Sequence, residues 1–200
     1  LGDLGADVIK LERPPYGDVA RTTMPMIDGE SGYFFSINRG KRSIAVDLTT
    51  ESGKSIFQDL VKEVDVVVEN FGPGVMDRLG FSYEELKRVK EDIILFSMPA
   101  TGLYGPLKDV RTYGLSLTST TGLDSLVGYA EGDILPVENA FSDPYNGIFG
   151  AFAILTALAH RNRTGEGQQI DFSQQEAVMQ MVGPAFADYA LNGRVSGPLG

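Results

Sequence analysis

Cysteine is absent from this 200-residue chain, which removes disulfides, thiolate zinc sites and a cysteine nucleophile together. The single histidine, His160, leaves little basis for a histidine metal site or a Ser–His pair. It stands beside Arg161 and Arg163 at the end of an apolar stretch, where basic groups complement a helix C-terminus, and it reads as structural. No apolar run reaches about 18 residues, and the longest candidate, around 148–159, is too short to span a bilayer. No basic-then-apolar leader precedes the first strand, so no secretion signal is expected and the location reads as cytoplasmic. No Gly-x-Gly-x-x-Gly follows a strand and no Gly-Lys-Ser/Thr phosphate loop occurs. Positive charge is short as well. Seventeen Lys and Arg against 27 Asp and Glu give a net charge of −10, which argues against nucleic acid as the main partner.

What is present suits one globular domain or one and a half, with 42% apolar residues to build a core. The chain opens on Leu1-Gly2-Asp3-Leu4-Gly5-Ala6-Asp7, which reads as a helix end running into a strand, and stops at Gly-Pro-Leu-Gly. It therefore reads as a fragment of a longer protein. Strands are expected at 8–12, 43–48, 65–69, 93–98 and 168–172, where β-branched and aromatic residues cluster between polar bounds. The runs at 65–69 and 93–98 read as buried parallel strands. Residues 14–32 carry Pro, Gly and Asp without periodicity and read as loop. Helices are expected after Thr50, from the capping box Ser82-Tyr83-Glu84-Glu85, from Tyr113 to about Leu126, and from a second capping box, Ser173-Gln174-Gln175-Glu176, to near Leu191 with Asn192-Gly193 as its stop. Strands alternating with helices at close spacing predict an α/β fold with a doubly wound parallel sheet. In such sheets ligands gather beyond the C-terminal ends of the strands.

The stretch 139–177 organises the rest. Asp143 directly precedes Pro144, and proline fits the first position of a helix, so Asp143 is expected to open a helix. From Ile148 to Ala159 that helix is apolar on nearly every face and is expected to be buried all round. Two readings of Asp143 stand side by side. As an N-cap it would accept backbone N–H bonds, the common role for Asp at such a place. As a nucleophile it would attack an activated acyl group, since a carboxylate is ionised at neutral pH without a helper base. The two roles are compatible in one residue.

Other signals are weaker singly. Asn38-Arg39-Gly40-Lys41-Arg42 is a phosphate-holding turn or a solvated basic turn. Phe71-Gly72-Pro73-Gly74 is a nucleotide pocket wall or a plain strand-to-helix turn, and Arg111-Thr112-Tyr113 an anion contact or a helix start. Their order and their shared place at strand ends give the set more weight than its members. Tyr104, Tyr113, Tyr145 and Phe149 read equally as acyl-pocket lining or as core packing.

Taken together, Leu-Gly-Ala-Asp-Val-Ile-Lys-Leu-Glu-Arg (4–13), Asn-Arg-Gly-Lys-Arg-Ser-Ile-Ala-Val-Asp-Leu (38–48), Val-Glu-Asn-Phe-Gly-Pro-Gly (68–74) with Arg78, and Ser-Asp-Pro-Tyr-Asn-Gly (142–147) through Thr-Gly-Glu-Gly-Gln (164–168) resemble the class III CoA-transferase family. That family includes formyl-CoA and carnitine CoA-transferases and the alpha-methylacyl-CoA racemases. The resemblance runs over essentially the whole chain. It implies a Rossmann-like large domain, incomplete at both ends, over 1–190, with 191–200 starting a linker to a small domain. It implies two subunits interlocked as a homodimer, with acyl-CoA and a carboxylic acid as substrates. Coenzyme A enters as substrate, and no metal or redox cofactor is implied; neither nucleic acid nor membrane is an expected partner. The acid-bearing position falls on Asp143. CoA-contacting positions fall on Arg13, on Val46, Asp47, Leu48 and Thr49, on Asn70, Phe71 and Gly72, on Arg78, and on Arg111, Thr112, Tyr113 and Gly114. Arg39 and Lys41 are further candidates for the CoA phosphates. Racemising members place a histidine and then an aspartate where this chain has Tyr113 and Gly114, a departure that favours the transferase branch. A racemase or isomerase and a non-catalytic CoA-binding protein remain the alternatives.

Overall fold

The computed structural model describes residues 1–130, 132–137 and 140–198. Asn139, the first residue of the organising stretch, and the last two residues of the expected linker lie outside them. The chain divides into two compact units, Leu1–Glu63 and Val64–Gly200.

In the first unit β1 (Ile9–Glu12) and β4 (Arg42–Ala45) pair in parallel, Ile9 opposite Arg42 and Glu12 opposite Ala45. Residues 14–32 are more ordered than a loop. They hold a 3₁₀ turn at Val19–Thr22 and a two-residue hairpin, β2 (Met26–Ile27) against β3 (Glu30–Ser31). A short helix, α1 (Gly32–Ile37), follows, and the Ser31 hydroxyl accepts the Phe34 N–H at its start. After β4 comes α2 (Glu51–Glu63), whose first turn is closed by Thr50 Oγ1 accepting the Gly53 N–H at 3.1 Å. Gly53 is obligatory here: a Cβ would lie 2.0 Å from the Asp47 carbonyl oxygen.

The second unit carries a three-stranded parallel sheet in the order β5 (Val66–Glu69), β6 (Ile94–Ser97), β7 (Gln169–Asp171). The crossover from β5 to β6 holds α3 (Val75–Leu79) and α4 (Tyr83–Val89); the one from β6 to β7 holds α5 (Gly114–Thr120) and α6 (Ser142–Thr164). Beyond β7 lie α7 (Gln174–Met179), a 3₁₀ turn and α8 (Gly183–Asn192), which ends on Gly193 in the left-handed region as its sequence requires. The fold class is thus α/β with parallel, Rossmann-like pairing. The helix expected from Tyr113 to Leu126 is instead α5 followed by a separate 3₁₀ turn at Asp124–Leu126, broken at Gly122, φ 82°.

β6 is the central strand and is buried along its whole length, and Ile93 to Phe96 with Phe81, Leu86 and Val178 form the core. β5 is not the fully buried strand its composition suggests: Val67 and Glu69 are buried, whereas Val68 is 53% exposed. An outer strand of this unit covers one face only. The long helix departs further. α6 buries one stripe, Ser142, Asn146, Gly150, Ile154 and Ala157, at the three- and four-residue spacing of a single face. Its other side is open, with Ile148 70% and Phe152 71% exposed. α6 packs on α5, α7 and β6, and those neighbours cover one flank among the described residues.

Candidate active site

The site in the second unit is built where α5 and α6 begin. α6 starts two residues earlier than Asp-Pro implies: Phe141 is the N-cap, Ser142 the first helical residue, and Asp143 sits in the first turn with Pro144 behind it. Asp143 is therefore not the cap, and its carboxylate is not consumed by capping. It is exposed in area, yet α5 crowds it on one flank. A Cβ on Gly114 would stand 3.2 Å from Asp143 Oδ1 and 2.9 Å from the Ala140 Cβ. That partial desolvation pushes the Asp143 carboxyl above its ordinary value, against a smaller lowering by the Ser142 hydroxyl. Being exposed on its other side, the group feels only part of the cost of burial. A carboxylate made more basic in this way is a better nucleophile. Ser142, wholly buried, donates from Oγ to the Gly114 carbonyl at 2.9 Å.

The strand ends hold the next groups. β5 ends in Glu69, only 9% exposed, whose carboxylate accepts the Phe71 N–H at 2.7 Å and so shapes the turn Asn70–Gly72. Burial pushes the Glu69 pKa up, partly offset by the Ser97 hydroxyl and by that N–H. Asn70, Phe71 and Gly72 are exposed. Arg78 lies on α3, its Nη1 3.2 Å from where a Gly74 Cβ would be, so it folds back over that turn. The loop after β6 is stitched to β7 and α7: Asp171 accepts the Leu103 N–H at 2.9 Å, and Gln174 Nε2 donates to the Met98 carbonyl at 2.7 Å. Arg111 is exposed and Thr112 half-buried; Tyr113, the N-cap of α5, is 88% exposed. Along α6, Phe141, Tyr145 and Phe149 stack in series with ring centroids 5.9 and 4.9 Å apart. Tyr104 and Tyr113 are exposed, so core packing does not describe them.

In the first unit, β1 ends at Glu12 and Arg13. The Arg13 Nε stands 4.0 Å from Asp47 Oδ1, which also accepts the Thr49 hydroxyl at 2.6 Å and its N–H at 2.9 Å. The Thr49 hydroxyl, then its N–H, hold the Asp47 carboxyl below its ordinary value. Val46 is buried and donates its N–H to the Glu12 carbonyl, and Leu48 is half-buried. Arg13, Asp47 and Thr49 thus come together as one group. Arg39 and Lys41 are engaged elsewhere in the basic turn: Arg39 pairs with Asp3 at 2.8 Å, and Lys41 donates to Asn38 Oδ1 at 3.0 Å. Burial and the nearby Lys10 push the Lys41 pKa down.

Behind Arg13 lies a network that the sequence reading did not single out. Glu12, buried, accepts both Arg21 Nε and Nη2 at 2.7 Å, Ser43 Oγ at 2.7 Å and the Asp18 N–H at 3.0 Å. Glu69, Asp171 and Ser142 were missed likewise. The signal for Glu69 and Asp171 was available, since each is a carboxylate at the C-terminal end of a parallel strand.

Among the described residues no group of His, Cys, Asp and Glu could hold a metal ion, and no helix is long and apolar enough to cross a membrane.

The fold and these strand-end groups define an α/β domain with its candidate chemistry at the mouth of a long helix. A profile of the family described as CoA-transferase family III matches residues 1–200, and the chain belongs to that family. It is 37% identical to an acetyl-CoA:oxalate CoA-transferase of Acetobacter aceti over 201 residues, all of this chain and 52% of the relative. It is 38% identical to a formyl-CoA:oxalate CoA-transferase of Afipia carboxidovorans, over 90% of this chain and 43% of that one. A solved CAIB/BAIF family protein from Brucella suis superposes with a TM-score of 0.92 at 36% identity, over 99% of this chain and 53% of the other. The chain spans about half the length of the relatives it matches.

Proposed function

We propose that the full-length protein moves coenzyme A from an acyl-CoA donor to a carboxylic acid, with Asp143 as nucleophile. The observation that carries this reading is a crowded yet accessible carboxylate in the first turn of α6, free of any capping duty, in a chain of the class III family. Asp143 attacks the thioester carbonyl; the C–S bond breaks and CoA leaves as thiolate, giving a mixed anhydride. The thiolate returns to the aspartyl carbonyl, releasing the donor's carboxylate and leaving an aspartyl thioester. The acceptor carboxylate and CoA then run the same steps in reverse. The first step is uphill, because an anhydride is less stable than a thioester, and binding of the remote nucleotide part of CoA offsets that cost. Holding the thiolate beside the anhydride makes its return effectively intramolecular. First-turn N–H groups of α6 support charge that develops on the carbonyl oxygen.

In the second unit we assign Arg78 and Arg111 to the CoA phosphates and Asn70 to Gly72 to its contacts; in the first unit, taken by itself, Arg13 and Val46 to Thr49 are assigned as CoA contacts. Arg39 and Lys41 take a secondary part, since Asp3 and Asn38 already hold them. Residues 1–190 are then part of a large CoA-binding domain, and 191–200 start the linker to a smaller one. An interlocked homodimer and the remainder of the chain would cover the apolar side of α6, because such faces seldom stay exposed. The relatives' names make acetyl-CoA or formyl-CoA with oxalate the first pairs to assay.

The test is mass spectrometry of the full-length protein after incubation with acetyl-CoA and hydroxylamine. A hydroxamate on Asp143, absent from Asp143→Asn and Asp143→Ala, is the expected result, together with loss of transfer in both variants. An alanine variant that keeps transferase activity refutes the nucleophile. α-Deuterium exchange without CoA transfer would indicate a racemase, and CoA binding with no adduct a binding protein.

A further inference from the structure

Ser142 and Gly114 belong to separate helices; the resemblance counts Gly114 among the CoA contacts, and the chemical steps above use neither residue. Ser142 is the first residue of α6 and is wholly buried, an unusual place for a hydroxyl unless it has work as a donor. Its Oγ donates to the carbonyl of Gly114, the first residue of α5, at 2.9 Å, across 28 residues of chain. Gly114 is buried too, and its φ is not in the left-handed region, so backbone conformation does not demand glycine there. Space does. A side-chain carbon at 114 would press on the Ala140 Cβ at 2.9 Å, the Ala140 Cα at 3.1 Å and Asp143 Oδ1 at 3.2 Å. Neither Ala140 atom is the end of a flexible side chain, so the strain would fall on the helix start or on the carboxylate.

We infer that Ser142 and Gly114 form a latch that positions the Asp143 carboxylate: the hydrogen bond ties the helix starts together, and the missing side chain lets α5 come up against Asp143. This rests on the reading of Asp143 as nucleophile. A hydroxyl has one proton, and that of Ser142 goes to the Gly114 carbonyl. Ser142 and Gly114 are positioning residues; they need not touch substrate.

The test uses the full-length protein with acetyl-CoA, following hydroxylamine-trapped Asp143 adduct against time, alongside steady-state KM and circular dichroism. A small misplacement of a reacting group costs up to about 100-fold, so Ser142→Ala and Gly114→Ala should each slow adduct formation about 10-fold, with KM for acetyl-CoA changed less than about twofold in Ser142→Ala, whose residue is not among the CoA contacts. Adding Ala140→Gly to Gly114→Ala removes the closest clash and should recover most of the lost rate. The two single variants attack one contact from opposite sides, so a folding failure in either leaves the other to decide. A wild-type adduct rate in a folded single variant, or a loss carried wholly by KM, overturns the latch and leaves the nucleophile standing. A wild-type protein that never forms the adduct overturns both.

Discussion

Glu12 ends β1 with its carboxylate buried beneath four donors, and this arrangement has a definite pH signature. The Arg21 guanidinium, first, and the Ser43 hydroxyl and Asp18 N–H hold its pKa down to about 2, against the upward pull of burial. A carboxyl whose pKa is lower in the fold than in the unfolded chain stabilises the fold above its unfolded value, near 4.5, and that support is lost as pH falls toward about 2. Removing the charge by Glu12→Gln should cost about 1.5–3 kcal/mol at neutral pH, the range for hydrogen bonds to a charged group. Arg21 is itself 44% exposed, and solvent screening argues for the lower part of that range. The thermal midpoints of the wild type and variant should converge below pH 4; a gap that stays constant with acid would contradict this. Glu69 has the opposite sign: its raised pKa favours the protonated fold, a contribution present at low pH and lost as pH rises through its folded value. At this scale the sequence was partly legible. Asp143 announced itself through Pro144 next to it. Ser142 and Glu12 did not, because their partners lie 28 and 31 residues away.

α6 shows how elements divide their work, and it offers a paired test on one helix. Gly150 lies on the buried stripe, where a Cβ would meet the Phe96 ring at 2.9 Å, and Phe96 in turn packs on Phe172 at 5.4 Å between centroids. Gly147 lies on the open side, with nothing within 4 Å of a Cβ. Gly147→Ala should stabilise by about 0.5–1 kcal/mol, the difference in helix propensity. Gly150→Ala should destabilise by about 1–3 kcal/mol, as overpacking outweighs the same propensity gain. Opposite shifts in thermal midpoint are the expected outcome; two shifts of the same sign would mean that the stripe is misassigned. The order of strands and helices was readable because caps such as Ser82, Ser173 and Gly193 and the β-branched runs are local signals. The hairpin and α1 were not, since two-residue strands and a six-residue helix fall below any periodicity window. The burial of α6 was misread for a different reason. Composition says that a face is apolar, but neighbours decide whether it is covered, and among the described residues α5, α7 and β6 cover one flank.

Across the whole chain, negative charge poses a question for a protein proposed to bind a polyanion. Residues 1–63 carry eight basic side chains against ten acidic, and residues 64–200 carry nine against seventeen. The mean field therefore repels CoA, while the proposed contacts, Arg78 and Arg111 in the second unit and Arg13 in the first, would each attract a phosphate at contact range. These two influences have opposite salt dependence. Screening a repulsive field lowers KM as salt rises, whereas screening contact pairs raises it. The Debye length is about 30 Å at 0.01 M and about 3 Å at 1 M salt, so the diffuse field is lost first and the contacts later. KM for acetyl-CoA should thus fall slightly at low ionic strength, pass a minimum, and climb above about 0.2 M. Arg78→Gln should raise KM about 10-fold at 0.1 M salt, the effect of losing one charge-assisted hydrogen bond, and flatten the climbing limb. Arg39→Gln should move KM much less, because Asp3 already holds that guanidinium at 2.8 Å. A KM that falls throughout the salt series, unaltered by Arg78→Gln, would place the phosphates away from α3.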